Sequence, residues 1–182
     1  MPATLYYIIG ASGAGKDSVL NAAREQLATK GNSIIAHRYI TRPADAGGEN
    51  HIALSNSEFE SRKAKNLFKM HWAANNCQYG LGIEIDQWLT AGINVLVNGS
   101  RGYLATAKKS HPDLKVIYID VDAAILKQRL TNRGRESATE IEARLARHQI
   151  LSASIDNAAL RIDNSGELST ACNQLIDIVS RA

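Results

Sequence analysis

The stretch LYYIIGASGAGKDS, residues 5–18, decides the fold. Its first five residues form a short, continuously apolar run rich in aromatic and β-branched side chains, which predicts a buried central strand of a parallel sheet. A glycine loop follows, and from Lys16 onward apolar residues recur at helical spacing. This order of strand, loop and helix is the context that a phosphate-binding loop requires.

The loop matches the phosphate-binding pattern GxxxxGK at every fixed position. Glycines let backbone N–H groups wrap closely around a phosphate, and the following helix presents its positive end to the same anion. Lys16 then reaches the β- and γ-phosphates. A glycine turn that only links strand to helix is the alternative, and the context disfavours it. The predicted nucleotide-binding residues are Gly10, Ala11, Ser12, Gly13, Ala14, Gly15, Lys16, Asp17 and Ser18.

Asp17 stands where the pattern usually carries a Ser or Thr whose hydroxyl touches Mg²⁺. A carboxylate is also a hard oxygen ligand, so Asp17 and Ser18 are the candidate metal ligands. Alternatively, Asp17 only stabilises the positive first turn of the helix. P-loop enzymes usually end a neighbouring strand with an Asp that holds the metal, yet residues 95–100 offer none. Our hypothesis is that Asp17 replaces that carboxylate.

Four further apolar runs lie between segments of helical periodicity, at residues 33–36, 93–97, 114–119 and 159–162. They predict βαβ units, and therefore an α/β fold of the P-loop NTPase type with a parallel sheet flanked by helices. Residues from about 39 to 88 break this rhythm, which indicates an inserted acceptor-binding subdomain. A chain of 182 residues is otherwise the length of a single domain, 1–182.

Several helix ends are also visible in the sequence. Two pairs have the spacing of capping boxes, Ser55 with Glu58 and Ser137 with Glu140. Asp122 is expected to begin another helix. That helix should end near Gly134, because glycine accepts the left-handed conformation common just past a helix end.

The composition is that of an ordinary globular protein, with 45% apolar residues and a net charge of +3. Lys and Arg are scattered, so this mild charge suits a small anionic ligand and does not indicate nucleic acid. Cys77 and Cys172 form no CxxC pair. No signal-peptide pattern is visible, and no apolar run approaches the roughly 20 residues that span a membrane. We expect a soluble cytoplasmic protein, a monomer or homodimer, without membrane or nucleic-acid partners.

From the glycine loop onward the chain resembles the guanylate-kinase-like nucleoside monophosphate kinases. The resemblance rests on GASGAGK at 10–16, YITRP at 39–43, QYG at 78–80, RLTNRGR at 129–135 and EARL at 142–145. It implies ATP with Mg²⁺ as the donor, and a helical lid at about 129–150 whose arginines neutralise the transferring phosphoryl group. The implied catalytic residues are Lys16, Arg133, Arg144, Arg129 and Arg135. Asp163 or Asn164, after the last strand, is the candidate for hydrogen bonding to adenine.

The residues with which that family reads guanine are missing here. Asp45 stands where a second phosphate-binding Arg follows, and His51 stands at the position of a tyrosine phosphate ligand. His71 and Gly99 replace the two carboxylates that read the base. Guanine needs an acceptor for its N1–H and its N2 amine, so this loss removes the selectivity for it. Guanylate is therefore not the expected acceptor.

Other segments resemble one branch of the family, which phosphorylates ribose 1,5-bisphosphate in bacterial phosphonate degradation. They are GKDS at 15–18, AHRYITR at 36–42, ENHIALS at 49–55, EID at 84–86, VLVNGSR at 95–101 and NRGRE at 132–136. This likeness implies transfer of the ATP γ-phosphate to the 1-phosphate of that small phosphorylated sugar. A phosphate monoester is already an anionic nucleophile at neutral pH, so no general base is required. The candidate acceptor-binding residues are Arg38, Arg42, His51, Tyr79, Asn98, Ser100 and Arg101.

Two other functions remain open at this stage. One is a kinase for another phosphorylated acceptor, such as a nucleoside monophosphate. The other is a non-catalytic guanylate-kinase-like module that binds phosphopeptides, but such a module should show a damaged phosphate loop, and Lys16 is intact here. Individual candidates also have structural alternatives, and for His51 the alternative is a satisfied structural side chain.

Overall fold

The structure, a computed structural model, describes residues 2–30, 32–134 and 136–180. Within these residues the strands are β1 Leu5–Gly10, β2 Ser33–Ile35, β3 Tyr39–Ile40, β4 Ile52–Ala53, β5 Phe68–Ala74, β6 Cys77–Gly82, β7 Asn94–Asn98, β8 Lys115–Asp120 and β9 Leu160–Asp163. The α-helices are α1 Lys16–Lys30, α2 Asn56–Ala64, α3 Glu84–Thr90, α4 Leu104–Ser110, α5 Ala123–Arg133, α6 Ala138–Ser154 and α7 Leu168–Ser180.

A five-stranded parallel sheet forms the centre, in the order β2-β7-β1-β8-β9. Side chains alternate along β1, so Tyr6 and Ile8 pack with α1 and α7 on one face, whereas Tyr7 and Ile9 pack with α3 and α4 on the other. The predicted α/β fold is confirmed. The other four strands of this sheet also form, and the bounds of each lie within one residue of the prediction.

The parallel register positions the functional site. β1 pairs with β7 so that Ile8 lies opposite Asn98, and the two strands end at the same edge of the sheet. The glycine loop after β1 and the segment 98–101 after β7 therefore meet at this edge. Ligands of open parallel sheets bind beyond the carboxyl ends of the strands.

Residues 39–82 form a second sheet in the order β4-β3-β6-β5. β5 and β6 are an antiparallel hairpin whose turn contains Asn75 and Asn76 at positive φ, 48° and 58°. Phe59 of α2 stacks on Phe68 with ring centroids 4.5 Å apart, and these two residues lie in a small apolar cluster of their own. α3 returns to the main sheet, where Ile85 is buried. The break in the βαβ rhythm thus corresponds to a separate small sheet.

The helix ends around Gly134 agree with the sequence predictions. Asp122 caps α5, and the helix ends at Gly134 in the left-handed conformation, with φ of 64°. α6 begins with a complete capping box between Ser137 and Glu140. None of the described helices is long and apolar enough to cross a membrane.

The other predicted capping box is only half formed, so that prediction was wrong in part. Ser55 Oγ accepts from the Glu58 N–H at 3.1 Å. The Glu58 carboxylate, however, accepts from Arg62 one turn later, at 2.8 Å. An i,i+4 partner with opposite charge competes here with the N-cap backbone.

Candidate active site

The inner glycines of the phosphate loop are required by its shape. Gly13 and Gly15 have φ of +94° and +86°, a left-handed conformation that other residues rarely adopt. Asn164, buried after β9, donates Nδ2 to the Ala14 carbonyl at 2.7 Å, and a Cβ at Gly15 would overlap its amide. Sequence reasoning offered Asn164 only as an adenine contact. No pattern in one sequence could reveal a bond across 150 positions.

A cavity of about 480 Å³ opens beside this loop. Small-molecule sites typically measure about 300–1,000 Å³. The lining includes Lys16, Asp17 and Ser18 from α1, and Arg129 and Arg133 from α5. Arg129 Nη1 is buried without a hydrogen-bond partner among the described residues, so this guanidinium can still accept an anion.

Lys16 is the first residue of α1. Burial lowers its pKa, and the nearby carboxylates of Asp17 and Glu49 offset this only in part. The positive charges of Arg38 and Arg101 lower the pKa further. A desolvated ammonium gains more from a bound phosphate than a hydrated one does.

The oxygen atoms around Asp17 suit a magnesium ion. Asn98, at the end of β7, donates Nδ2 to Asp17 Oδ1 at 2.8 Å. Asn98 Oδ1 is buried and has no hydrogen-bond partner in the described part of the chain. A carboxylate, this amide oxygen and the Ser18 hydroxyl are all hard donors. The described residues contain no group of three His, Cys, Asp or Glu that could hold a metal, so phosphate oxygens and water would complete the coordination.

Three side chains at the junction of α5 and α6 form an assembly that we call the lid cluster, Arg133, Glu136 and Arg144. Glu136 Oε1 accepts from Arg133 Nη2 and lies 3.1 Å from Arg144 Nη2. The Glu136 side chain is 7% exposed, against 36% for Arg133 and 30% for Arg144. Arg144 Nη1 also donates to Ser12 Oγ at 2.7 Å. The cluster therefore touches the phosphate loop directly.

The lid cluster contains two of the arginines that were predicted to be catalytic, Arg133 and Arg144. Glu136, which joins them, was not predicted, although the NRGRE segment contains it. Arg135 lies outside the described residues. Arg147 donates Nε to the carbonyl of Ala143 in its own helix, at 3.2 Å.

Arg38 and Glu49 form a second assembly, which we call the acceptor pair. Arg38 Nε donates to Glu49 Oε1 at 2.7 Å, and Arg38 Nη2 donates to Glu49 Oε2. The two side chains are 12% and 10% exposed. The Arg38 guanidinium also lies over the Tyr79 ring, 4.8 Å from its centroid. Two predicted residues, Arg38 and Tyr79, are thus in contact, while Glu49 was missed.

His51 holds the loop that carries Glu49. Its Nδ1 lies 3.0 Å from the Glu49 carbonyl oxygen, and its Nε2 lies 3.1 Å from the Arg42 carbonyl oxygen. The side chain is buried, so both ring nitrogens face backbone and neither is free for a phosphate. This geometry favours the alternative in which His51 is a structural side chain and not a phosphate ligand. Arg42 Nε is buried without a partner in the described residues and can still bind an anion.

Arg101 lies beside Arg144 of the lid cluster. It lines a second cavity, of about 190 Å³, together with Ser12 and Arg144. This cavity joins residues from the phosphate loop, the β5–β6 turn, the segment after β7 and α6. Four parts of the chain thus supply cations or donors to one small volume.

Tyr7 fills the space beside Gly99. A Cβ at Gly99 would overlap the Tyr7 ring, so no carboxylate can stand at this strand end while Tyr7 keeps its place. The Tyr7 hydroxyl donates to the Ser100 carbonyl at 2.9 Å and accepts from the Ser100 N–H at 3.0 Å. Burial raises the pKa of Tyr7 to about 12, so the phenol is neutral. The sequence showed Tyr7 only as a core residue.

Comparison with known proteins identifies the family. A profile of the guanylate kinase family matches residues 3–182. Ribose 1,5-bisphosphate phosphokinase PhnN from Psychromonas ingrahamii is 46% identical over 96% of this chain and 89% of its own length. The proteins of that name from Desulfomicrobium baculatum and Yersinia pestis are 49% and 48% identical, over 96% and 98% of this chain and 93% and 92% of their own lengths.

One solved structure shows the same fold. Guanylate kinase from Anaplasma phagocytophilum superposes with a TM-score of 0.70 over 97% of this chain and 84% of its own, at 15% identity. The chain belongs to the guanylate kinase family, and within it the similarity to ribose 1,5-bisphosphate phosphokinases extends over nearly its whole length.

Proposed function

We propose that this protein transfers the γ-phosphate of ATP to the 1-phosphate of ribose 1,5-bisphosphate, which yields 5-phosphoribosyl 1-diphosphate and ADP. The curated relatives at 46–49% identity are named for phosphorylation of that sugar. Residues 39–88 would hold the acceptor, and residues 129–150 would act as the lid. The intact phosphate loop and its contact with Arg144 argue against a module that has lost catalysis.

The observation that carries the choice of acceptor is the packing of Tyr7 against Gly99. A nucleotide acceptor needs a side chain that reads its base, and the strand end at position 99 has no room for one. His71, which stands at the other base-reading position, brings no carboxylate. An acceptor without a base, but with a second anionic group, suits the candidate acceptor-binding arginines Arg38, Arg42 and Arg101 better.

The transfer itself needs positioning and charge neutralisation. A 1-phosphate oxygen, anionic because the second pKa of a phosphate monoester is about 6, attacks the γ-phosphorus. A new P–O bond forms as the bond to the β-phosphate oxygen breaks, and ADP leaves with that electron pair. Lys16 and the loop amides hold the β- and γ-phosphates. Arg133, Arg144 and Arg129 neutralise the transferring group, and Arg101 approaches it from the acceptor side.

Asp17, Ser18 and Asn98 would hold Mg²⁺. The ion supplies neutralisation of charge on the β- and γ-phosphates when it is bound. The bond from Asn98 Nδ2 to Asp17 Oδ1 keeps the Asp17 carboxylate at the end of β7, where P-loop enzymes usually carry an Asp. This contact supports the hypothesis that Asp17 replaces that residue.

A coupled assay tests the proposal. ATP and Mg²⁺ are supplied with ribose 1,5-bisphosphate or with GMP, and the release of ADP is followed together with the formation of 5-phosphoribosyl 1-diphosphate. We expect turnover with the bisphosphate and at least about 100-fold lower kcat/KM with GMP, since a substrate that leaves the polar groups of a site unpaired is rejected by up to about 10⁴- to 10⁵-fold. Turnover with GMP alone would refute the assignment.

A further inference from the structure

The acceptor pair joins two of the segments that distinguish this chain from guanylate-reading relatives, AHRYITR at 36–42 and ENHIALS at 49–55. Resting on the proposed function, we propose that Arg38 binds the phosphate of the acceptor that does not react, and that Glu49 is the positioning residue which fixes Arg38 for this task. Neither role follows from the phosphate loop or from the lid.

The first argument is the way in which Arg38 is held. The ion pair with Glu49 uses Nε and Nη2, which leaves Nη1 outside the pair. The guanidinium rests on Tyr79 at 4.8 Å and lies 5.9 Å from the Trp72 ring centroid. Trp72 in turn stacks on Tyr79 with ring planes inclined by 3°. A guanidinium fixed from several sides loses little further freedom when it binds an anion.

The second argument is that Glu49 is itself fixed. His51 contacts the carbonyls of Glu49 and Arg42, and Asn21 of α1 donates Nδ2 to the carbonyl of Gly48 at 3.0 Å. The loop that supplies Glu49 is therefore tied both to the start of the second sheet and to α1. A carboxylate held this firmly orients its arginine, whereas a flexible surface carboxylate would not.

The third argument is the location of Arg38 relative to the transfer chemistry. The transferring phosphoryl group belongs beside Ser12, where Arg144 and Arg101 line the same small cavity. Arg38 lines neither this cavity nor the larger one beside the phosphate loop. Its charge nevertheless lowers the pKa of Lys16, as that of Arg101 also does. A cation that acts on the phosphate loop but lines neither of these cavities suits the phosphate of the sugar that does not react.

The test compares two ligands in three variants. Dissociation constants for ribose 1,5-bisphosphate and for ribose 1-phosphate are measured by calorimetry without ATP, so the result does not depend on turnover. The variants are Arg38→Gln, Glu49→Gln and, as a control, Glu60→Gln, which removes an exposed carboxylate of α2 that pairs with Lys63 at 3.4 Å. Thermal unfolding shows whether each variant remains folded.

We expect Arg38→Gln to weaken the bisphosphate about 10- to 100-fold, the loss expected for one charge-assisted hydrogen bond, and to leave ribose 1-phosphate within about threefold. Glu49→Gln should show the same selectivity with a loss of about three- to tenfold, because Arg38 keeps its charge but not its orientation. Glu60→Gln should bind both ligands like the unmodified protein.

Equal weakening of both ligands in Arg38→Gln would overturn the proposal, because the residue would then serve the reacting phosphate or the fold. Equal affinity of the unmodified protein for both ligands would also overturn it, since no site for the second phosphate would exist. Selective binding of the bisphosphate without turnover would instead refute the proposed function and leave this site standing.

Discussion

The lid cluster and the acceptor pair both join arginines to one glutamate, but they differ in how tightly the arginines are held. In the lid cluster two arginines from different helices share a single carboxylate oxygen, and they are about one-third exposed. In the acceptor pair one arginine makes a two-pronged contact, is almost buried, and rests on an aromatic ring. We therefore expect the arginines of the lid cluster to exchange their carboxylate for a phosphate more readily than Arg38, whose packing would have to be undone.

The largest effect should come from Lys16 of the phosphate loop, which belongs to neither assembly. Lys16→Ala should lower kcat by at least about 100- to 1,000-fold, the loss typical when one preorganised donor to a developing charge is removed. Its ammonium is desolvated beside the phosphate loop and lies within the electrostatic reach of Arg38. Steady-state kinetics with saturating substrates measure the effect, and circular dichroism confirms the fold. Full activity in a folded variant would show that the arginines suffice and that the loop assignment is wrong.

A substitution at Glu136 tests whether the carboxylate positions the arginines of the lid cluster for phosphate binding. Glu136→Gln keeps the shape of the side chain and removes its charge, so the guanidinium groups of Arg133 and Arg144 repel each other without compensation. We expect kcat to fall about tenfold, since misplaced positioning groups have a large effect on the rate. The KM for the acceptor should stay within about twofold, in contrast to the result expected for Glu49→Gln.

Glu142→Gln is the matched control for this change. Glu142 lies on α6, is exposed, and forms an ion pair with Lys127 at 2.7 Å. Neither residue lines the two cavities described above. Surface ion pairs of this kind contribute little, so kcat should be unchanged. If Glu136→Gln behaved like Glu142→Gln, the lid cluster would be an ordinary surface ion pair, and the contrast with the acceptor pair would disappear.

Asp17 belongs to neither assembly, and it tests whether the metal is held at the phosphate loop. Asp17→Asn should raise the Mg²⁺ concentration needed for half-maximal activity about three- to tenfold, because a carboxylate ligand becomes neutral. Titration of Mg²⁺ into the protein with ADP, followed by calorimetry, gives a second measurement without turnover. Unchanged Mg²⁺ dependence in both experiments would mean that Asp17 only stabilises the first turn of α1.

The fold was predictable because its signals are local. The apolar runs of the main sheet and the cap at Ser137 each depend on residues within a few positions of one another. Gly134 likewise predicted the end of α5. The capping box at Ser55 failed because an equally local competitor, Arg62, took the glutamate.

Within the candidate site, the sequence predicted only those residues whose chemical type suits a phosphate ligand. Arginines and the loop lysine follow from motifs, but the carboxylates that orient the arginines do not. Glu49 is separated from Arg38 by 11 positions, and Tyr7 from Ser100 by 93. Such pairs form because the chain brings distant segments together in the fold. No periodicity or spacing in a single sequence records them, which is why Glu49 and Tyr7 were missed. Glu136 was missed although it lies only three positions after Arg133.

The smallest effect should be found at Tyr7, and it tests the rigidity of the acceptor side. Tyr7→Phe removes both hydrogen bonds to Ser100 and should lower the free energy of unfolding by about 1–2 kcal/mol at pH 8. Glu142→Gln, which removes one partner of the exposed ion pair with Lys127, should change it by less than about 0.5 kcal/mol, as exposed ion pairs do. Denaturant titration measures both values. A loss in Tyr7→Phe no larger than that in Glu142→Gln would show that the two hydrogen bonds to Ser100 do not stabilise this wall.

The pH dependence of the Tyr7 effect has a definite sign. Burial, the main cause, raises the pKa of Tyr7 to about 12, whereas an unfolded tyrosine has a pKa of about 10. The neutral phenol therefore favours the folded state fully below pH 10, and this contribution is lost as the pH rises from about 10 towards 12. The stability difference between the unmodified protein and Tyr7→Phe should shrink over that interval, because phenylalanine has no proton to lose. A difference that stays constant to pH 12 would show that the Tyr7 hydroxyl is accessible to water and that the wall beside Gly99 is not rigid.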